Sequence, residues 1–198
     1  MNKLALIPLF LLAACADTEK PHEHNEGEVI TTIVLDFAPT SGTATSYTWA
    51  DPEADGSPVI DDITLADGET YAVSVSFLNE LEDPPEDITE EVGAEDDQHQ
   101  VFFTGSAVQG PATGDNAAAV VSHAYDDADE NGFPVGLENT VASITPGSGT
   151  LTITLRHLPP ENDVAVKTGT LAEDVAAGGI AALPGDTDVS VDFALTVE

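Results

Sequence analysis

Strict alternation of apolar and polar residues constrains this chain more than any other feature. Val29, Thr31, Ile33, Leu35 and Phe37 fall on one side of an extended segment, and Tyr71, Val73, Val75 and Phe77 repeat the device with Ala72, Ser74 and Ser76 opposite. Leu151, Ile153 and Leu155 alternate with Thr152, Thr154 and Arg156, and Val189, Val191, Phe193, Leu195 and Val197 with Ser190, Asp192, Ala194 and Thr196. Successive side chains of a strand point to opposite faces, so these segments suit a sheet with one face buried. Weaker runs at 44–49, 59–65, 99–104, 117–125 and 137–144 are separated by clusters of Gly, Pro, Asp and Asn. About nine strands with little helix predict an all-β fold, a two-layer antiparallel β-sandwich of immunoglobulin-like or related type. One short helix is expected at 87–95, where Asp87 is placed to cap, Glu90 stands three residues on, and Ile88 and Val92 form an i, i+4 apolar pair.

The N-terminus predicts export. Lys3 is followed by an apolar run from Leu4 to Ala14, too short for the roughly 20 residues that span a bilayer core, and by small residues. Leu12-Ala13-Ala14-Cys15 is similar to the bacterial lipobox, and Cys15 is the only cysteine of the chain. Residues 1–14 are therefore expected to be a lipoprotein signal peptide, with Cys15 the lipidated first residue of the mature protein. Two or three acyl chains hold a protein at a membrane where one does so only marginally. Ala16, rather than Asp, follows the cysteine, which by resemblance to sorting rules implies the outer membrane. Residues 15–27 read as the lipidated cysteine and a polar tether, and 28–198 as a single domain. Lipidation of the only thiol removes disulfides, thiolate catalysis and Cys-ligated zinc from consideration.

Charge narrows the partners. Four Lys and Arg stand against 37 Asp and Glu, a formal net charge of −33, and the acid is spread along the chain. Nucleic acid is excluded as a partner because phosphate backbones require Lys and Arg, and anionic lipid headgroups are equally disfavoured. Self-repulsion on this scale is tolerated best in high salt or with bound divalent cations.

Two loops carry cation-binding spacing. Asp127, Asp129 and Asn131 occupy alternate positions before Gly132, with Glu138 at the twelfth, the pattern of a calcium loop. Alternate side chains can converge on one hard cation while the glycine allows the sharp turn. Strand-like flanks and Pro134 make it an isolated calcium loop rather than an EF-hand. Asp51, Glu53 and Asp55 before Gly56, with Asp62 at the twelfth position, form a second, less regular version. A softer metal, zinc or copper, is the alternative. His22 and His24 flank Glu23 in the tether, His99 follows Glu95-Asp96-Asp97, and His157 ends a strand on the side of Leu155. His123 just precedes the first acidic loop. No G-x-S-x-G, phosphate-binding glycine loop or H-E-x-x-H is present, so binding rather than catalysis is expected.

Several stretches resemble a family of small, largely uncharacterised lipoproteins of Gram-negative bacteria, often labelled "type 1 periplasmic binding fold superfamily protein". They are His22-Glu23, Glu28-Val29-Ile30-Thr31-Thr32, Glu86 to Glu91, His99-Gln100-Val101-Phe102, Asp129 to Leu137, Arg156-His157-Leu158-Pro159 and Asp188-Val189-Ser190-Val191. The resemblance covers the mature domain and implies an envelope lipoprotein without implying an activity.

The residues thus predict a lipid-anchored, calcium-stabilised, non-enzymatic binding or interaction module of the cell envelope. The alternative is a zinc- or copper-binding lipoprotein that assists metal uptake, with an outer-membrane protein as its partner.

Overall fold

A computed structural model describes residues 28–198 of the chain. The expectations placed on Cys15, His22 and His24 lie outside these residues. The strands are β1 (Thr32–Pro39), β2 (Thr45–Ala50), β3 (Val59–Ile60), β4 (Ile63–Leu65), β5 (Thr70–Asn79), β6 (Glu86–Asp87), β7 (His99–Thr104), β8 (Val108–Gln109), β9 (Val121–Tyr125), β10 (Glu138–Ser143), β11 (Gly147–His157) and β12 (Asp186–Val197). Two α-helices, α1 (Ile88–Ala94) and α2 (Leu171–Gly178), and two short 3-10 helices, Asp96–Gln98 and Ile180–Ala182, complete the set.

The strands form two packed sheets, as the alternation predicts. The large sheet has the order β3-β2-β1-β5-β10-β9-β8, with β6 added to β5, and the small sheet runs β4-β12-β11-β7. Ile33, Leu35 and Phe37 of β1 and Val73, Val75 and Phe77 of β5 join Phe103, Leu151, Ile153, Leu155, Phe193 and Leu195 of the small sheet in one core. Each such side chain contributes on the order of 1.5–3 kcal/mol by leaving water. A one-residue slip in register would turn the whole apolar set outward, so this core fixes the pairing.

The small sheet is covered on its other side as well. Phe102, on the outer face of β7, packs with Leu158, Leu171, Ala172, Val175 and Leu183 in a second cluster built on α2. That is why β7 is buried along five consecutive residues rather than at alternate ones.

The details differ from the sequence expectation in four respects. Twelve strands replace about nine among the described residues. The run 59–65 divides into β3 and β4, one in each sheet, because Asp61 turns back to accept hydrogen bonds from the amide and hydroxyl of Thr48 at 2.8 and 2.9 Å. Two pairings, β12 with β4 and β8 with β9, are parallel. Finally α2 was not expected, whereas α1 is the helix read from Asp87: the Asp87 carboxylate accepts from the Thr89 amide at 3.0 Å, and Ile88 and Val92 are buried. No helix among the described residues is long and apolar enough to cross a membrane.

Candidate functional site

Two histidines remote in sequence meet at one end of the sandwich. β11 and β7 pair antiparallel, and their register sets His157 opposite His99. The rings stack with centroids 4.7 Å apart and planes 6° from parallel. Both residues are buried, and the Nε2 atom of each lacks a hydrogen-bond partner. The tautomer of His99 follows from chemistry. Its Nδ1 lies 3.1 Å from the Glu95 carbonyl, which can only accept, so Nδ1 carries the proton and Nε2 presents a bare lone pair. Burial, with His157 and Lys167 nearby, lowers the His99 pKa to about 4, so the ring is neutral at physiological pH. A backbone carbonyl holding one ring nitrogen while the other offers its lone pair is the arrangement that orients histidine toward a metal.

The Asp188 carboxylate lies near His157. The β11–β12 register passes from Leu155 opposite Val189 to Arg156 opposite Thr187, leaving Asp188 as the extra residue of a bulge. Bulges re-aim side chains out of the regular alternation. One Asp188 oxygen accepts from the Glu28 amide at 3.3 Å, and the other, buried, has no hydrogen-bond partner. Burial raises the Asp188 pKa despite the pull of His157 and the Glu28 amide. Glu28 is pushed up to about 7, first by burial and then by Glu91, Asp188, Glu95 and Glu86. The first described residue is thus tied to Asp188 through its amide. Sequence reading named His99 and His157 but missed Glu28 and Asp188, since only the bulge brings Asp188 to them.

Over the site folds the segment Leu183–Gly185, held by Arg156. Its guanidinium donates to the carbonyls of Leu183 and Pro184, each at 2.9 Å, to that of Gly185, and to the Thr187 hydroxyl at 2.8 Å. Gly185 has φ +73°, and a Cβ there would sit 2.0 Å from the His157 carbonyl oxygen. No other residue fits.

The first acidic loop is organised differently from a calcium shell. Asp127 accepts from the amides of Gly136, Leu137 and Glu138 at 2.7, 2.8 and 3.0 Å. Asp129 accepts from the amides of Asn131 and Phe133 with one oxygen, both at 2.9 Å, and its other oxygen lies 3.1 Å from the Lys167 ammonium. Burial alone would raise the Asp129 pKa, but the Phe133 amide and Lys167 outweigh it and hold the carboxyl below its usual range. Asn131 and Glu138 are exposed. The convergence expected at 127–138 is therefore replaced by the loop's own amides and by a cation of the chain itself. In the second loop the Asp51 oxygens accept from the amides of Asp55 and Gly56 at 3.1 and 2.9 Å. Asp51, Glu53 and Asp55 line one cavity of about 190 Å³, while Asp62 is exposed outside that lining. Among the described residues no three His, Asp or Glu side chains are arranged to hold a metal ion.

His123 is a core residue. It stacks on Phe103 at 4.3 Å, and its Nε2 lies 2.9 Å from the Asn139 side-chain oxygen. Asn139 donates its own amide to the Gly136 carbonyl at 2.8 Å, which fixes its orientation, so His123 carries its proton on Nε2. Burial lowers its pKa to about 4.

The chain matches no protein-family model, no curated protein and no solved structure.

Proposed function

We propose that this chain is a lipid-anchored envelope module that binds a soft divalent cation, zinc or copper, through Nε2 of His99, beside His157 at one end of the sandwich. The observation that carries the reading is the buried, bare Nε2 of His99, fixed by the Glu95 carbonyl and stacked on a second imidazole with an unpartnered nitrogen. Leaving such atoms unsatisfied costs about 1–3 kcal/mol each, a cost a ligated metal removes. His24 lies four residues before Glu28 in the chain, a distance of at most roughly 14 Å. His22 and His24 are therefore the candidates for completing a four-ligand shell. The negative charge of the exterior concentrates cations at the domain, which suits a lipoprotein delivering metal to an outer-membrane uptake protein.

Zn²⁺ titration of the full-length chain in detergent, followed by calorimetry, tests the reading. Stoichiometric binding that weakens at least tenfold in His99→Ala and His157→Ala supports it. Binding of equal affinity in both variants removes the histidine pair from the site.

A second reading, calcium, rests on the cavity shared by Asp51, Glu53 and Asp55. Thermal melts with EDTA and with millimolar Ca²⁺ decide it, and an unchanged melting temperature ends it.

A further inference from the structure

The two sheets end in four edge strands, β3, β8, β4 and β7. Unpaired backbone at such an edge is a template for another chain, and folded domains block it. Three of the four edges are blocked here. On β7 the Val101 amide donates to the Val135 carbonyl at 2.7 Å, and the Val101 carbonyl accepts from the Tyr125 hydroxyl at 3.1 Å. At β8 the Asn116 side-chain amide donates to the carbonyls of Ser106 and Val108 at 3.1 and 3.0 Å. Beside β4 the Tyr47 hydroxyl donates to the Thr64 carbonyl at 2.7 Å and accepts from the Thr64 amide at 3.3 Å.

The fourth edge is left open along part of its length. β3 pairs with β2 only at Trp49 and Ala50, and beyond Asp61 the chain crosses to the other sheet as β4. Two bonds fix the phase of β2. The Asp51 amide donates to the Thr31 carbonyl, on the β1 side, whereas the Thr48 carbonyl accepts from Asp61 on the far side. Ladder bonds alternate along a strand, so the Ser46 amide and carbonyl face outward as those of Thr48 do. Among the described residues no strand lies beside β2 at that point. The Ser46 hydroxyl is turned to Asp36, and Ser46 is exposed.

A cavity of about 370 Å³ adjoins this opening, lined in part by Thr43, Thr45, Tyr47, Thr64 and Glu198. Neighbouring strands alternate their side chains together. A strand laid along Ser46 therefore turns every second side chain to the side of Thr45 and Tyr47, where the cavity lies. Its other side chains join the row of Ser46 and Asp36 on the outer face. A carboxylate stands on each side, Glu198 within and Asp36 without, on a chain of net charge −33. Arg156 and Lys167, the strong bases among the described residues, are both buried and offer no surface cation. A second copy of the chain brings the same negative charge and is repelled.

We propose that the open edge of β2 at Ser46 takes up an extended, net-basic peptide segment of a partner protein as an added strand, with its backbone bonded to Ser46 and alternate side chains seated in the cavity.

The test titrates the full-length chain in detergent with the peptide Ac-Lys-Val-Lys-Val-Lys-Val-amide, followed by the shift and hydrogen exchange of the Ser46 amide. The same peptide methylated at every backbone nitrogen keeps its charge but loses its ladder donors. Saturable binding that slows exchange at Ser46 is expected, weakened at least about tenfold by methylation and lost when Glu replaces Lys in the peptide. Ser46→Pro removes the outward N–H, a change that an edge strand tolerates on its solvent side, and should weaken the peptide by a similar factor. Methylation alters only the peptide, so that arm stands even where the variant fails to fold. Equal affinity for the methylated peptide, equal affinity in a folded Ser46→Pro variant, or no Ser46 shift up to about 5 mM peptide overturns the proposal. A Ser46 shift that grows with protein concentration alone assigns the edge to a second copy and overturns it as well.

Discussion

Replacing Lys167 with methionine removes an ammonium while keeping most of the side-chain volume. In the native domain that ammonium lies 2.6 Å from the Asp96 carbonyl and 3.1 Å from Asp129, and the side chains of the ion pair are 1% and 0% exposed. Asp129 keeps its amide bonds from Asn131 and Phe133 in the variant, but its second oxygen faces an apolar methyl in the dark of the core. Breaking a buried pair by removing one partner costs about 3–5 kcal/mol, because a charge is left uncompensated. Against a total stability of about 5–15 kcal/mol this is a large share, worth roughly 8–15 °C in melting temperature for a domain of this size. Asp129→Asn should cost a similar amount, since it leaves the Lys167 ammonium with one carbonyl. The double variant should recover most of the loss, giving a coupling of about 2–4 kcal/mol. Urea denaturation followed by the fluorescence of Trp49, the single tryptophan and a residue packed on the core, measures all four corners of the cycle. Single variants that each lose less than about 1 kcal/mol, or a double variant that loses their sum, would refute the claim that this pair is buried and mutually dependent.

Other consequences are accessible to the same melts. His99 and His123 have folded pKa values near 4 against 6.5 unfolded, so the unfolded chain binds more protons between those values and stability falls as pH drops from about 6.5 to 4. The loss should reach about 3 kcal/mol per histidine, and a flat profile across that window would contradict their burial as neutral rings. Glu28 acts with the opposite sign: its pKa is raised from 4.5 to about 7, so its stabilising contribution is complete below 4.5 and is lost as pH rises through 7. Being partly exposed, it contributes less than its shift suggests, and Glu28→Gln should flatten the alkaline limb. Gly185→Ala should destabilise by more than about 2 kcal/mol, since it meets both a left-handed backbone and the His157 carbonyl; a melt within about 0.5 kcal/mol of native would show that the segment yields freely. Asp87→Ala should cost about 1 kcal/mol through the lost cap of α1, read from urea midpoints.

How much was legible in the sequence depended on the range of the information. The four long strands follow from period two alone, and α1 from a cap and one apolar pair within a single turn. α2 was missed because Leu171 and Val175 are the main apolar anchors of an alanine-rich segment, and the Thr170 side chain caps none of its amides. Leu171, Ala172 and Val175 beside acidic Glu173 and Asp174 were the signal available. The stretch 59–65 was read as one strand because its apolar ends conceal the break at Asp61 and Asp62. Spacing correctly marked 127–138 as a loop rich in carboxylates, but spacing cannot say what those oxygens face. Asp129 turns to Lys167, a residue beyond two further strands, and no local pattern announces that. The same limit applies at the histidines. Parity placed His157 on the inner side, while its stacking on His99 depends on which strands become neighbours, and the approach of Asp188 on a one-residue bulge.

The burial of Arg156 and Lys167 also governs how the folded domain meets proteases. Trypsin recognises a basic side chain on an extended, accessible backbone, and the guanidinium and the ammonium are instead occupied with carbonyls and a carboxylate inside the structure. Scission at either residue demands that β11 or the segment ahead of α2 first come apart. A tryptic cut after Arg156 therefore counts molecules in which β11 has left the sheet, whereas a cut after Lys167 reports opening of the segment ahead of α2.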